Sequence, residues 1–373
     1  MRKQNTRGAV SLLVVFFVCG ISYAQEGRSS NSTSSKAKVQ RAARHRPRTR
    51  SKTVRTRANA SVVGSEFLAI ARDGAGDIWV SGSLLLSKGL LVRARGAEII
   101  ATAFSEVQFI DDLTFPATDV GWMIAGGHLY KTGDGGLNWQ RLDVGQDSEF
   151  LSLTFSDVLH GWASGRGGVI YHTDDGGSTW NKQESGTTLK LWKITFVDGL
   201  KGWAVGGETR GDLTWRSVLI ATDDGGYSWK SLPNESDLTF HDLAFVDQTT
   251  GWGLDMRKKV IVHTDDGGRT WRTQIHLEQD SYHSIFFLDE QRGWVIGNPV
   301  LYTDDGGENW SIKTREDFAY FPKKAIFIDS MHGWAIGKTS KQIPHVLSTI
   351  DGGRTWQVIS ENWQSKLSLG FHQ

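Results

Sequence analysis

Six near-copies of one octapeptide constrain this chain more than anything else in it. They are TGDGGLNW (Thr132 to Trp139), TDDGGSTW (Thr173 to Trp180), TDDGGYSW (Thr222 to Trp229), TDDGGRTW (Thr264 to Trp271), TDDGGENW (Thr303 to Trp310) and TIDGGRTW (Thr349 to Trp356), spaced about 40 to 50 residues apart. Each keeps the frame Thr-x-Asp-x-Gly-x-[Ser/Thr/Asn]-Trp. An Asp in such a turn accepts hydrogen bonds from the backbone N–H groups around it, and Gly supplies the positive φ that a side chain would resist. The closing Trp is large and mostly apolar, so it is expected to fold back onto the core.

Two more landmarks keep step with these Asp-boxes. A Gly-Trp pair precedes each one, at Trp122, Trp162, Trp203, Trp252, Trp294 and Trp334, and a Phe stands at a fixed distance before each Trp, at Phe115, Phe155, Phe196, Phe245, Phe287 and Phe327. Constant offsets imply strands and turns of constant length. One unit reads as strand (LWKITFVD), turn (GLK), strand (GWAVG), variable loop, strand (VLIAT), Asp-box turn and strand (SWKSLP). Four short strands repeated at this period form the pattern of a β-propeller blade. Residues 67–109 carry no box, yet FLAIA, DIWVSG and LLVR mimic blade strands, with Trp79 where Gly-Trp would fall. The expected fold is therefore all-β. It is a seven-bladed β-propeller of four-stranded antiparallel blades over residues 61–373, with a degenerate first blade and six Asp-box repeats at 109–359. The two repeat positions consume most of the 16 Trp residues, which are expected to wedge between blades. Lys366 to Phe371 (KLSLGF) echoes the inner-strand pattern of Phe150 to Phe155 (FLSLTF), which predicts that the C-terminal tail pairs with the first blade and covers an open edge.

Residues 1–24 have a basic start (Arg2, Lys3, Arg7), an apolar run from Ala9 to Ile21 and Ser22-Tyr23-Ala24, the layout of a secretory signal peptide. Export to the periplasm or the extracellular space is expected. Cys19 is the one cysteine of the chain and lies inside that signal, and Val18 stands where a lipoprotein signal wants a small residue. The mature part would then have neither disulfides nor a cysteine nucleophile. No later stretch approaches eighteen consecutive apolar residues, so no transmembrane helix is expected. Residues 25–60 are dominated by Ser, Thr, Lys and Arg and read as a disordered basic linker. Between Arg28 and Arg57 there are eleven Lys or Arg and no acid, so the formal net charge of +1 hides a cationic segment ahead of a propeller region that is net negative by about a dozen charges. The segment reads either as a solvated spacer or as an electrostatic tether to an anionic surface. Nucleic acid is not an expected partner of an exported protein.

No HExxH, GxSxG, GxxxxGK or CxxC motif is present. The box residues Asp134, Asp175, Asp224, Asp266, Asp305 and Asp351 are read as structural, because six equivalents on outer hairpins cannot converge on one site. The GGxGxD array that would favour calcium is absent, and neither a metal nor a cofactor is expected. His172 and His263 precede boxes, and His160 and His332 precede Gly-Trp pairs, so repeat position accounts for them. Function is expected where the blades differ. Each inner strand opens with a distinctive pair, namely Asp111-Asp112, Leu151-Ser152, Trp192-Lys193, His241-Asp242, His283-Ser284 and Lys323-Lys324, predicted to ring the channel mouth as a binding surface. The insertion Gly207 to Ser217 (GETRGDLTWRS) places Arg210, Trp215 and Arg216 on an extended loop with the composition of an interface anchor. Asp255 replaces the usual small residue after Gly251-Trp252 and is read as structural.

The paired GWAVG and TDDGGxTW landmarks over residues 109–359 resemble those of the photosystem II stability and assembly factor family, the Ycf48/Hcf136-like propellers. The resemblance implies a seven-bladed, non-enzymatic chaperone, exported to the lumenal side, that holds a membrane-protein assembly intermediate. The chain departs from the family pattern in lacking the lipoprotein cysteine of bacterial members and in carrying the basic linker. The boxes also look like those of sialidases and xyloglucan-active glycoside hydrolases. No RIP segment of the sialidase kind is found; a general glycosidase needs two closely placed carboxylates, for which Asp111, Asp112 and Asp242 are the candidates. The expected function is a protein-binding or assembly scaffold whose partner is a membrane-protein complex or envelope component, with a glycan-active hydrolase or lectin as the alternative.

Overall fold

The computed structural model describes residues 66–359, apart from 85–87, 96–97, 146–147, 210–214, 234–236, 256, 279–280 and 315–317. The signal-peptide and linker segments and the tail expected to close the ring lie outside the described residues. Within them are 28 strands, β1–β28 in chain order, arranged as seven antiparallel four-stranded sheets, each built from one contiguous segment. The first strand of each blade lies innermost: β1 (Glu66–Arg72), β5 (Ile110–Thr114), β9 (Phe150–Phe155), β13 (Leu191–Phe196), β17 (Phe240–Phe245), β21 (Tyr282–Phe287) and β25 (Tyr320–Phe327). Each packs on the next, and β25 packs back on β1, which closes the ring. The sequence sets this order through polarity. Several second strands, among them β10 (Gly161–Gly165) and β22 (Gly293–Gly297), are buried along their whole length, whereas the outermost strand of blade 4, β16 (Lys230–Ser231), is short, polar and exposed. Short polar edges leave little template for unwanted pairing.

One aromatic unit repeats at six blade junctions. The Gly-Trp ring lies flat on the Phe of the following blade, with centroids 3.8 Å apart for Trp122 and Phe155, 3.6 Å for Trp162 and Phe196, 3.6 Å for Trp203 and Phe245, 3.5 Å for Trp252 and Phe287, and 4.0 Å for Trp294 and Phe327. Trp79 stacks on Phe115 at 4.3 Å, so the degenerate blade keeps the lock. The box Trp of the receiving blade meets the same Phe edge-on, as Trp271 meets Phe245 at 6.1 Å. Offset stacking on one side and an edge contact on the other are both favoured by the ring quadrupole. The Phe also explains the Gly beside the Trp: a Cβ on Gly202 would overlap the Phe196 ring. The indole N–H groups of Trp162, Trp203, Trp252 and Trp294 then donate to box carbonyls of the next blade, Gly225, Gly267, Gly306 and Gly352, at 2.8 to 3.0 Å. At the two junctions that precede these, cations reach the equivalent carbonyls: Arg93 donates to Gly135 O and Lys131 to Gly176 O.

Each box is self-contained. Thr173 Oγ1 donates to Asp175 Oδ1 at 2.8 Å and accepts the Gly177 N–H at 2.7 Å, while Asp175 accepts the N–H and the hydroxyl of Thr179 at 2.9 and 2.7 Å. Gly176 and Gly177 sit at φ of 67° and 81°, the left-handed region where a side chain is strained. Hydrogen bonds from the residue four positions on hold the carboxyls of Asp134, Asp175, Asp224 and Asp305 down to about 2, from the ordinary 3.8. A carboxyl depressed in the folded state adds stability that is complete above its unfolded value and disappears as pH falls through the folded one. The thermal midpoint is therefore expected to lose the boxes' contribution between pH 4 and about pH 2, with a shallower acid limb in Asp175→Asn; equal limbs for the two proteins would count against the boxes as stabilisers.

The seventh junction is built differently. Blade 1 has Arg72 where the other blades have the stacking Phe, and among the described residues no ring stacks on Trp334. Instead Glu66 on β1 pairs with Lys323 on β25 at 2.6 Å and with Lys338 on β26 (Gly333–Thr339) at 3.2 Å. Burial pushes the Glu66 carboxyl up, but Lys323 and Lys338 together outweigh it and hold it below the ordinary range.

Candidate binding face at the channel mouth

A β-bulge at the same place in all seven inner strands positions the site. The pairing register slips once in each, leaving Leu68, Asp111, Leu151, Trp192, His241, His283 and Lys323 as the extra residues. A bulge sets two residues against one on the partner strand and re-aims the side chains there. The pairs read from the sequence are thus a bulged residue followed by the one at which pairing resumes, and the structure sends the two to different places.

The second members, Asp112, Ser152, Lys193, Asp242, Ser284 and Lys324, with Ala69 in blade 1, form an inner girdle in which none is more than 1% exposed. Asp112 accepts the N–H of its own Leu113 at 3.0 Å and that of Leu153 in blade 3 at 2.9 Å. Ser152 Oγ accepts the Ile194 N–H of blade 4 at 3.2 Å. Asp242 accepts from Leu243 at 3.0 Å and from Ile285 of blade 6 at 3.1 Å, and holds Lys193 of blade 4 in an ion pair at 3.0 Å. Asp112, Ser152, Lys193 and Asp242 therefore tie their blades to their neighbours. Burial pushes the Asp112 carboxyl up to about 7 against the pull of Lys324 and Lys193, and pushes the Lys324 ammonium down to about 7 against the pull of Asp112. Two acids and two bases balance one another here. Sealed from solvent, Asp112, Lys193, Asp242 and Lys324 build the ring and present nothing at the mouth.

The bulged residues reach closer to the surface. Burial, with Glu149 nearby, raises the Asp111 carboxyl to about 6. Burial lowers the His283 imidazole to about 4, helped by Lys323 and His241, and it also lowers His241 against the pull of Asp242. Both histidines are therefore neutral at pH 7. Lys323 is engaged with Glu66. Trp192 is nearly buried, tilted against Trp215 at 5.9 Å and capped by the Lys190 ammonium 5.6 Å from its ring centre. The insertion is an extended hairpin: β14 (Gly202–Thr209) and β15 (Trp215–Thr222) pair from Gly202 with Thr222 out to Thr209 with Trp215. Trp215 thus opens a strand and fastens the hairpin to the mouth through Trp192, while Arg216 beside it is exposed. Arg210 lies outside the described residues. Asp255 is buried and accepts the N–H groups of Thr239, Arg257 and Lys258 at 2.7 to 2.8 Å, so it shapes its loop.

Glu66, Glu149 and Lys190 also belong to this face and were not singled out from the sequence. Their one signal is position, each standing at or just before an inner strand. Of the three carboxylates considered for a glycosidase pair, Asp111 alone approaches the mouth; Asp112 and Asp242 are spent on backbone N–H groups and Lys193. Among the described residues no group of His, Cys, Asp and Glu is placed to hold a metal ion, and no helix is long and apolar enough to cross a membrane.

Fold and site together define an Asp-box propeller with a sealed inner girdle and a polar, mixed-charge channel mouth. The family model described as photosynthesis system II assembly factor YCF48 matches residues 97–190 and 226–322, just over half of the chain, and the protein belongs to that family. Among solved structures, one titled YCF48 bound to D1 peptide superposes with a TM-score of 0.53 at 21% identity, covering 68% of this chain and 81% of that one. YCF48 from Cyanidioschyzon merolae gives 0.59 at 17% identity over 79% and 97% of the two chains. A GH74 enzyme from Niastella koreensis shares the fold as well, with 0.55 at 14% identity over 80% and 59%. No curated protein sequence matches the chain significantly.

Proposed function

We propose that this protein is an exported, non-enzymatic scaffold that holds a protein partner, a membrane-protein complex or envelope component, at its channel mouth during assembly. The observation that carries this reading is the mouth itself. Asp111, Leu151, Trp192, His241, His283 and Lys323 occupy one structural position on blades 2 to 7, so the bulge sets acidic, apolar, aromatic, imidazole and cationic side chains around one rim above the buried girdle. Membership of the YCF48 family supports it, as does the related YCF48 whose solved structure is titled as bound to D1 peptide. Residues 28–57 would add an electrostatic tether to an anionic surface.

The test is an affinity pull-down from envelope extract of the native host, comparing residues 25–373 with residues 61–373 at low and moderate salt. Both forms are expected to recover one defined protein complex, and His241→Ala combined with His283→Ala is expected to reduce recovery roughly tenfold, the loss of about 1.4 kcal/mol of binding energy. Recovery only by the longer form, abolished by salt, would assign recognition to the linker instead. A glycan-active reading rests on one observation, the Asp111 carboxyl raised to about 6, in the range of a general acid. It requires that oligosaccharide turnover be measurable and that Asp111→Asn abolish it.

A further inference from the structure

Between blades 3 and 4 lies an open cleft of about 510 Å³. Its floor is the segment 184–189 that links β12 (Asn181–Gln183) to β13. One wall is the turn Gly167-Gly168-Val169 between β10 and β11 (Ile170–Thr173), and the other carries Arg216 from β15. The cleft is firmly built. Ser185 is buried; its hydroxyl donates to Gly168 O at 2.6 Å and accepts the Thr187 N–H at 3.3 Å. Gly168, at φ of 73°, lies so close to the Thr187 carbonyl that a Cβ would overlap it.

We propose that this cleft binds an extended polypeptide segment bearing acidic side chains, laid along β12 with its carboxylates on Arg216 and Lys182. Four observations converge. β12 is the edge strand of its sheet, so one side of its main chain is open to a further strand, and Gly167, Gly168 and Gly186 leave bare backbone nearby. The lining is polar and holds no aromatic ring, which disfavours both a stacked sugar and an apolar small molecule, while its volume lies in the ordinary range for ligand sites. Two cationic side chains stand there against one acid, Glu184. Finally, Arg216 is present because the blade 4 hairpin is extended: β14 and β15 continue past Gly206 and Val218 to Thr209 and Trp215, and Glu208 stands opposite Arg216. Main-chain pairing gives affinity in such a mode, and the charged wall gives the preference for acid. The proposal rests on the reading of the protein as a protein-binding scaffold and adds a second contact to it.

The experiment uses a fluorescent octapeptide of alternating glutamate and valine, with a lysine-for-glutamate version as control, titrated against the mature chain by anisotropy and followed by amide hydrogen exchange. The glutamate peptide is expected to bind and the lysine peptide to fail. Protection is expected over residues 181–188, and Arg216→Glu with Lys182→Glu should weaken binding roughly tenfold at an unchanged thermal midpoint. Equal affinity for both peptides, indifference to the two charge reversals, protection confined to the mouth, or occupation of the cleft by a xyloglucan oligosaccharide in place of peptide would each overturn it. His283→Ala at the mouth should leave the peptide affinity unchanged. If the peptide fails while the pulled-down complex is still lost on mouth substitution, this inference falls and the scaffold reading stands.

Discussion

Asp242→Ala is expected to lower the free energy of unfolding by about 3–5 kcal/mol, the range for stripping one partner from a buried ion pair. Lys193 Nζ lies 3.0 Å from Asp242 Oδ1 with both side chains out of contact with solvent, so the substitution would take the paired carboxylate away from a buried ammonium group. It would also orphan the Ile285 N–H that Asp242 accepts from blade 6, adding the desolvation cost of an unpaired donor, about 1–3 kcal/mol if no water enters. The pair as a whole is a different matter. Its Coulombic gain is offset by the cost of taking two charges out of water, so Lys193→Met combined with Asp242→Leu should recover most of the loss. Urea denaturation of the three variants decides. If Asp242→Ala costs less than about 1 kcal/mol, the girdle tolerates the loss of this carboxylate and is not the tie between blades described above.

Phe245→Ala is the second large effect, again about 3–5 kcal/mol, the usual loss for emptying a buried aromatic site. The ring is stacked 3.6 Å from Trp203 of the preceding blade and touched edge-on by Trp271 of its own, so its removal opens a junction as well as a cavity. A double-mutant cycle with Trp203→Ala should return about 0.5–1.5 kcal/mol of coupling beyond area burial. Trp334→Ala supplies the internal control. With Arg72 in place of a stacking Phe, and with Trp334 only partly buried, its truncation should cost clearly less than that of Trp203, which is fully buried. Equal costs would mean that the stack is not what locks the blades.

The path from repeat to fold was short. Thr, Asp and two Gly specify a turn that satisfies its own hydrogen bonds, which is why the six boxes could be read directly and why Asp175 behaves as a structural residue. Phe and Trp at constant offset specify a junction, and Trp79 announces it even where box and Gly-Trp are missing. Site residues were legible only as positions that vary. Asp111 and Asp112 look alike in the chain, as do Lys323 and Lys324; a one-residue bulge then leaves the first of each pair near the rim and seals the second inside. A bulge is a property of strand pairing, and no local residue preference marked it.

The sequence by itself determined the number of blades, their strand order and the aromatic locks between them, because those rest on contacts within one repeat or between neighbours and are written at a fixed period. Tertiary structure alone decided which charges would meet. Lys193 reaches Asp242 in the next blade, Lys324 of blade 7 acts on Asp112 of blade 2, and Glu66 joins Lys323 at the seam where the first and last blades meet. Those partners lie in different blades, the last pair at opposite ends of the described chain, and their energy depends on burial. Closing the ring creates both the proximity and the low-dielectric interior that give it weight.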